Sequence, residues 1–494
     1  MGILKKHELK IIAIILVLIN FLFKGIFLSS NSLGGDEPFS VYHAQMDIAS
    51  IIRLLLQGNN PPLYEILLHF WIKLFGISEF SVRFPSLIFS SLSVLYLYLL
   101  GVKFLNKRIG LYASILFIFS NYHILFAHEA RVYSLLGLLS VASMYYFMNL
   151  IQYCTMYMRG ENNLKSTIRK NLVILIILNT LIIYSHYFGF FILITQFIFI
   201  LFNKKILFKY WKQVLISSFI IGLLYLPNIL VVLNRFSESS SNGTWVKQPD
   251  GLDSIYSMLR MFSNAPVVAV FCILVLLISL GKYVINYKRE QNNIYSRLVI
   301  LWFVFVFFFM FSISYLVPMF LDRYLMPAAI AFSLVVGISV DYIIKVQKFK
   351  YFIPVAIILL FVVTAKPNIS NKRNVEETVE KIKSMKNSET RVLISPSYFV
   401  LNFIYYYNRD VFKDYNENDI YSNIDSALRL DNVYFINNIK EVDLEKNKHI
   451  VYLDAAASFS FPDNNILNTL NSTYTLVGEH KFYEIFNVYE YRMK

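Results

Sequence analysis

Charge and cysteine are both scarce in this chain. Of its 494 residues only 16% are Asp, Glu, Lys or Arg, against about 25% in a typical soluble domain. The two cysteines, Cys154 and Cys272, fall at a cytoplasmic edge and inside a later apolar run, so they do not pair. A disulfide framework is excluded, and so is a zinc-type Cys cluster. The first apolar segment, residues 9–29, follows Lys5 and Lys6 but lacks a small-residue cleavage site. It therefore reads as a retained span and not as a signal peptide.

What the chain has instead is apolar surface. It is 56% hydrophobic and 17% aromatic, with a mean hydropathy of +0.52, which is the composition of a polytopic membrane protein with a modest soluble part. The net charge of +14 is unevenly spread. Loops assigned to the cytoplasm, with their adjoining span ends, hold 21 Lys and Arg against 4 Asp and Glu, whereas the tail after Lys366 holds 15 against 18. That asymmetry is the positive-inside pattern and marks orientation, not nucleic-acid binding. The chain is expected in the plasma membrane, amino end inside and carboxyl end outside, in contact with membrane lipids.

The expected spans are 9–29, 85–105, 109–127, 132–153, 171–186, 188–203, 213–234, 266–287, 298–316, 325–344 and 351–365, about eleven in all. Lys24 near the outer end of the first is expected to snorkel. Between the first two lies a long outer loop. Its segments 39–56 and 63–75 carry apolar residues at helical spacing, and they read as interfacial helices separated by Pro61-Pro62. Two domains follow from this: a membrane domain, 1–366, and an extracytoplasmic α/β domain, 367–494. In the second, strand-length apolar runs at 391–394, 433–436 and 449–453 alternate with helix-like stretches. Strands at 474–477 and 481–491 are expected to form a hairpin across Gly478-Glu479-His480. This domain has no glycine-rich phosphate loop and no nucleophile elbow, and reads as a packing and lid module.

Polar motifs gather on the outer side. Gly35-Asp36-Glu37-Pro38 follows the first span, and Arg83, His128-Glu129-Ala130-Arg131-Tyr133, Ser185-His186-Tyr187 and Asp322-Arg323-Tyr324 share its face. Carboxylates avoid hydrocarbon, so Asp36 and Glu37 should face water, a cavity or a cation. Joining an activated sugar to a hydroxyl requires a base for the acceptor proton and cations for a departing phosphate. Asp36 and Glu37 are the base candidates. Arg83, Arg131 and Arg323 are the phosphate candidates, since the guanidinium fork binds two oxygens together; Glu129, Tyr133, His186, Tyr187 and Tyr324 complete the expected substrate site. Simpler roles exist for each: helix capping by Asp36-Glu37, headgroup anchoring by Arg83, local pairing by Glu129 and Asp322, and interface packing by His186 and Tyr187.

The stretch 34–134 resembles the bacterial and archaeal branch of glycosyltransferase family 39, lipid-linked-sugar transferases of the GT-C fold related to protein O-mannosyltransferases and aminoarabinose transferases. The matching residues are Asp36-Glu37, Pro61-Pro62-Leu63-Tyr64, Phe75-Gly76, Arg83-Phe84-Pro85-Ser86 and Glu129-Ala130-Arg131-Tyr133, with Ser185-His186-Tyr187 and Arg323-Tyr324 later. The resemblance implies a polyprenyl-phosphate sugar donor, inversion, Asp36 as the catalytic carboxylate, and an acceptor that is a glycan, lipid or protein. One departure is that Asn60, preceded by Asn59, stands where many relatives have His or Lys. No cofactor is expected, and a divalent metal is not indicated. Rival readings are a transporter or flippase of lipid-linked glycans, and a glycan polymerase or ligase. Charge gathered at one outer face, away from the bilayer midplane, favours surface chemistry over transport.

Overall fold

The computed structural model describes residues 2–55, 60–242, 246–286, 293–346, 352–369, 373–414, 421–444, 448–482 and 486–494. Two compact units emerge: residues 1–26, 52–64 and 83–369, and residues 27–51, 65–82 and 370–494. The soluble unit thus draws in two pieces of the outer loop in addition to the expected 367–494.

The first unit is helical. Each expected span is helical, one of them in two pieces, but only seven helices among the described residues are long and apolar enough to cross a membrane, eight with one bent pair counted as a span. The first helix, Gly2–Gly25, carries Glu8, Lys10 and Lys24, and the helices Tyr187–Phe202 and Phe352–Thr364 are short. Helices Tyr133–Met158 and Asp322–Ile344 are largely buried and Lys204–Asn234 is largely exposed, so the former pair forms the centre and the latter faces lipid.

The expected span 109–127 is broken into Lys107–Ile118 and Asn121–Ala127, bent by 61°. A break in hydrocarbon is tolerated only where side chains satisfy the freed backbone. Asn264 does so, its Nδ2 donating to Phe119 O (2.8 Å) and its Oδ1 accepting from Asn121 N–H (2.6 Å). Asn121 in turn donates to Thr364 O and accepts from Lys366 N–H. Elsewhere Ser143, Asn179 and Gln196 close a three-membered hydrogen-bond ring at 2.6–2.8 Å, a polar tie among otherwise apolar helices.

Lys24 does not snorkel. It is fully buried, donating to Ser90 Oγ (3.2 Å) with its ammonium 4.5 Å from the Phe117 ring centroid. Its helix packs polar side chains inward here, and Asn20 also bonds Ser90 and Ser91.

The second unit carries a five-stranded sheet: β1 (Thr390–Ser395), β2 (Val433–Phe435), β3 (His449–Ala455), β4 (Tyr474–Phe482) and β5 (Phe486–Met493). The order is β2-β1-β3-β5-β4, with β1 parallel to β2 and β3 and the β5 pairings antiparallel. Strands β1 and β3 are buried along nearly their whole length, as parallel strands covered on both faces require. Leu393, Ile450, Tyr452, Ile466, Leu470 and Tyr491 form the core. The expected turn Gly478-Glu479-His480 lies inside β4, where the register slips between Leu476 and Gly478; a glycine inside a strand commonly marks such a bulge.

The expected helix 39–56 is two helices, Glu37–His43 and Ile48–Leu55. Asp47 Oδ1 accepts from the Ala49 and Ser50 amides (2.8 and 3.1 Å) and so starts the second one. Val41, Tyr42 and Met46 are buried, Tyr42 against Phe412 and Tyr421, so this stretch packs on protein. Helix Leu63–Phe75 leaves Phe70, Leu74 and Phe75 more than half exposed, which suits an interfacial helix.

Candidate active site

In the second unit the chain turns sharply before its carboxylate pair. Gly35 has φ +60°, a left-handed conformation that glycine adopts without strain. A Cβ on Gly35 would lie 2.3 Å from Arg373 Nη1, and one on Gly34 would lie 2.9 Å from the Arg373 stem. Only glycines admit the arginine this closely. Arg373 Nη1 donates to Gly34 O (3.2 Å), Asn402 Nδ2 donates to Gly35 O (3.2 Å), and Tyr406 OH accepts from Leu33 N–H (2.6 Å). Ser32 Oγ accepts from Glu376 N–H (3.2 Å).

The two carboxylates leave this turn in different environments. Glu37 is buried and its Oε2 accepts from Gly34 N–H (3.2 Å). Asp36 is exposed and occupies the N-cap position of helix Glu37–His43, yet its side chain makes no capping bond. A side-chain capping bond therefore does not hold Asp36, and the pair divides into an exposed carboxylate and a buried one that accepts from its own turn. A third carboxylate, Glu65, accepts from Ser40 Oγ (2.8 Å) and is buried; nothing in its sequence context singled it out.

In the first unit Arg131 and Arg323 sit on short connections between longer helices, whereas Arg83 lies inside the helix Glu79–Leu100. Ser86 Oγ donates to Glu129 O (2.6 Å), and His128 Nε2 donates to Lys24 O (2.7 Å). These bonds fix the turn that carries Glu129 and Arg131. Arg131 is buried, and Arg83, one helical turn before Ser86, is 1% exposed, too enclosed to anchor in headgroups. Tyr122 OH donates to Asp322 O (2.7 Å) and holds the 3₁₀ turn Asp322–Leu325.

Arg131 and Arg323 both act electrostatically on His186, which is buried. Burial, then Arg131 and Arg323, push the His186 pKa down to about 3, so the imidazole is neutral at any physiological pH. Phe188 N–H donates to His186 Nδ1 (3.2 Å), which assigns the proton to Nε2 and makes that nitrogen a donor. The rings of Tyr133, Tyr324 and Phe188 surround the imidazole at centroid distances of 6.2, 5.3 and 5.2 Å. The Arg323 guanidinium lies 5.9 Å from the Tyr324 centroid. Gly189 permits the tight turn that presents His186, since a Cβ there would meet Ile182 at 2.2 Å.

Arg131, Tyr133, His186, Arg323 and Tyr324 thus come together as an electropositive, hydrogen-bond-donating cluster. Tyr187 instead lies near Tyr225, and Glu129 and Asp322 lie within electrostatic reach of Tyr122. Phe188 belongs to the cluster but gave only the general signal of an aromatic-rich chain. Asn60 is half-buried, and Asn59 is outside the described residues. Among the described residues no three His, Cys, Asp or Glu side chains gather as a metal ligand set. In the sheet, Thr390, His449 and Glu490 form a relay at 2.7 and 2.9 Å. Thr390 is fully buried and its hydroxyl donates to Asn387, so the relay ties strands together and offers no nucleophile.

Residues 59–230 match the sequence model of the family described as dolichyl-phosphate-mannose-protein mannosyltransferase. ArnT from Cupriavidus metallidurans, solved bound to undecaprenyl phosphate, is similar in structure over 97% of both chains, with a TM-score of 0.57 at 10% identity. The archaeal oligosaccharyltransferase AglB from Archaeoglobus fulgidus, solved with an inhibitory peptide and a dolichol-phosphate, is similar over 91% of this chain and 69% of its own, with a TM-score of 0.54 at 14% identity. No sequence among curated proteins matches. The chain has the GT-C fold, and these findings support the resemblance to glycosyltransferase family 39 and an integral, multi-pass membrane protein.

Proposed function

We propose that this chain is a membrane glycosyltransferase that moves a sugar from a polyprenyl-phosphate donor to an acceptor hydroxyl at the outer membrane face, with inversion. The observation that carries the reading is that Arg131 and Arg323 both act on a buried, neutral, Nε2-protonated His186 that lies beside the rings of Tyr133 and Tyr324. Two fixed cations and an N–H donor suit a phosphate that gains charge as it departs. The lipid phosphates bound by the structurally similar ArnT and AglB support the same donor class. Glu129, Tyr133 and Tyr324 are assigned to the donor head, and Arg83 to the phosphate.

In the proposed step the acceptor oxygen attacks the anomeric carbon while its proton passes to the Asp36 carboxylate. The bond from that carbon to the phosphate oxygen breaks, and its electron pair leaves on the phosphate. A phosphate leaving group needs no proton, so one base suffices, unlike the paired acids of glycosidases. Asp36 is assigned the base because it is the exposed member of the pair and because the family resemblance selects it.

The test is transfer from a radiolabelled polyprenyl-phosphate sugar at matched membrane levels. Asp36→Asn keeps shape and hydrogen bonding but cannot take the proton, and a loss of about 10²–10⁴-fold is expected. Glu37→Gln should lose less. Arg131→Lys and Arg323→Lys should each weaken transfer because an ammonium cannot fork onto two oxygens. Near-normal turnover in Asp36→Asn would remove the mechanism, and loss confined to Glu37→Gln would reverse the assignment.

A further inference from the structure

We infer that the C-terminal segment holds the acidic loop in its working shape, with Arg373, Asn402 and Tyr406 as positioning residues for Asp36. The inference rests on the reading of Asp36 as the base, but its observations are independent of that reading. Four consecutive residues, Ser32, Leu33, Gly34 and Gly35, are each bonded by one residue of the segment 373–406. The next residue in the chain is Asp36, which is exposed.

A loop that served only to connect elements would not need this density of long-range bonds. Loops at a surface satisfy their backbone with water. Here the Gly34 and Gly35 carbonyls accept from side chains more than 300 positions away. Both glycines are close against Arg373, and Gly35 adopts a left-handed conformation beside it. The contact is matched on both sides: the loop has lost its side chains where the arginine lies, and the arginine donates to the backbone so exposed. Tyr405 adds a bond from its hydroxyl to Ile77 O (2.6 Å), and Arg409 an ion pair to Glu79 (2.8 Å). The same segment therefore holds both outer-loop pieces of its unit.

The physical consequence is a base whose aim depends on the tail. Displacing a reacting group by about 1 Å can cost on the order of 100-fold in rate, because the near-attack geometry is lost while binding contacts persist. The tail would then act on turnover and leave donor affinity alone. This assigns the α/β domain a part in the reaction in place of a packing and lid role.

The experiment uses the full chain in membranes and compares Arg373→Gln, Arg373→Lys, Asn402→Asp and Tyr406→Phe with a control, Tyr491→Phe. The control removes a comparable bond, to Asn471, from the sheet core of the same unit. Transfer kinetics give kcat and the donor KM, and hydrogen exchange gives the protection of residues 32–37. The expected result is a fall in kcat of about 10–100-fold for Arg373→Gln and Asn402→Asp. Donor KM should change less than about threefold, and amide exchange at 32–37 should speed up. Arg373→Lys, which keeps the stem and one donor, should recover most of the turnover, and Tyr491→Phe should keep its kcat. Wild-type kcat in Arg373→Gln and Asn402→Asp despite faster exchange would overturn the inference, and so would an equal loss in Tyr491→Phe. Unchanged exchange at 32–37 would overturn it as well. Asp36→Asn in the same assay separates the two ideas: if it is inactive while the tail variants are normal, only the positioning role fails. If Asp36→Asn is active, the base assignment fails, and the exchange data still decide whether the tail holds the loop.

Discussion

A single methyl group at Gly35 should disable the loop, by an amount that the structure lets one bound. In Gly35→Ala the new Cβ would lie 2.3 Å from Arg373 Nη1 and 2.6 Å from Cζ, whereas carbon and nitrogen pack at about 3.5 Å. Either the guanidinium or the turn must therefore shift by about 1 Å. The left-handed backbone at φ +60° costs an alanine about 1–2 kcal/mol. Losing the bond from Arg373 to Gly34 O costs about 1.5–3 kcal/mol, since its donor is charged. Together these remove about 2.5–5 kcal/mol from the local stability of the turn. Hydrogen exchange at residues 33–37 and transfer at matched membrane levels are the assays, with transfer expected to fall by up to about 100-fold. Gly35→Ala/Arg373→Ala relieves the overlap, so its loss should be clearly smaller than the product of the two single losses. Near-normal transfer in Gly35→Ala would refute the reasoning, and so would strict additivity in the double variant.

Three further outcomes are expected. His186 is held neutral with its pKa near 3, below its ordinary value of about 6.5, so its contribution to stability is complete above about pH 6.5 and lost as pH falls toward 3. The full shift is worth at most about 5 kcal/mol, and thermal unfolding in detergent at pH 7 and pH 4.5 should show a shallower pH dependence in His186→Gln; an unchanged slope would count against the neutral imidazole. Lys24→Met removes a buried ammonium whose contacts among the described residues are a hydroxyl and a ring, and should raise stability by about 1–3 kcal/mol; a fall would show that the lysine is held by more than these. A reporter fused after Lys366 should report the outer compartment, given the basic excess on the opposite face; a cytoplasmic signal would overturn the surface chemistry too.

The parts of the fold written in local patterns were readable from the sequence, and the parts closed by distant partners were not. Every long apolar run became a helix because hydrocarbon demands it. The break after Ile118 escaped notice because Asn264, which heals it, lies more than 140 positions away. Gly478 looked like a turn residue, and only the register of β4 against β5 shows that it is a bulge. Among the candidate residues, Asp36, Arg131 and Arg323 were legible as charges misplaced beside a membrane, and His186 from its motif Ser185-His186-Tyr187. Arg373 was not, since it stands in a polar stretch, Asn371-Lys372-Arg373-Asn374, where one more cation carries no signal. Tyr187 was expected at the site from its motif, and the 3₁₀ turn Tyr187–Gly189 also sets the Phe188 ring beside His186, at 5.2 Å between centroids.

The interleaving of the soluble unit imposes an order on biosynthesis. Its first piece, 27–51, leaves the ribosome long before its last, 370–494, and the bond from Arg373 to Gly34 O closes a loop of 339 residues. At about 5–20 residues per second, roughly 20–70 seconds separate the emergence of Asp36 from that of the arginine beside it. A nascent or truncated chain can therefore insert its helices and still lack an ordered carboxylate turn. On the proposed positioning role, synthesis of the segment 373–406 becomes a condition for transfer, and a ribosome that stalls after the last membrane helix would leave a product that is inserted but idle.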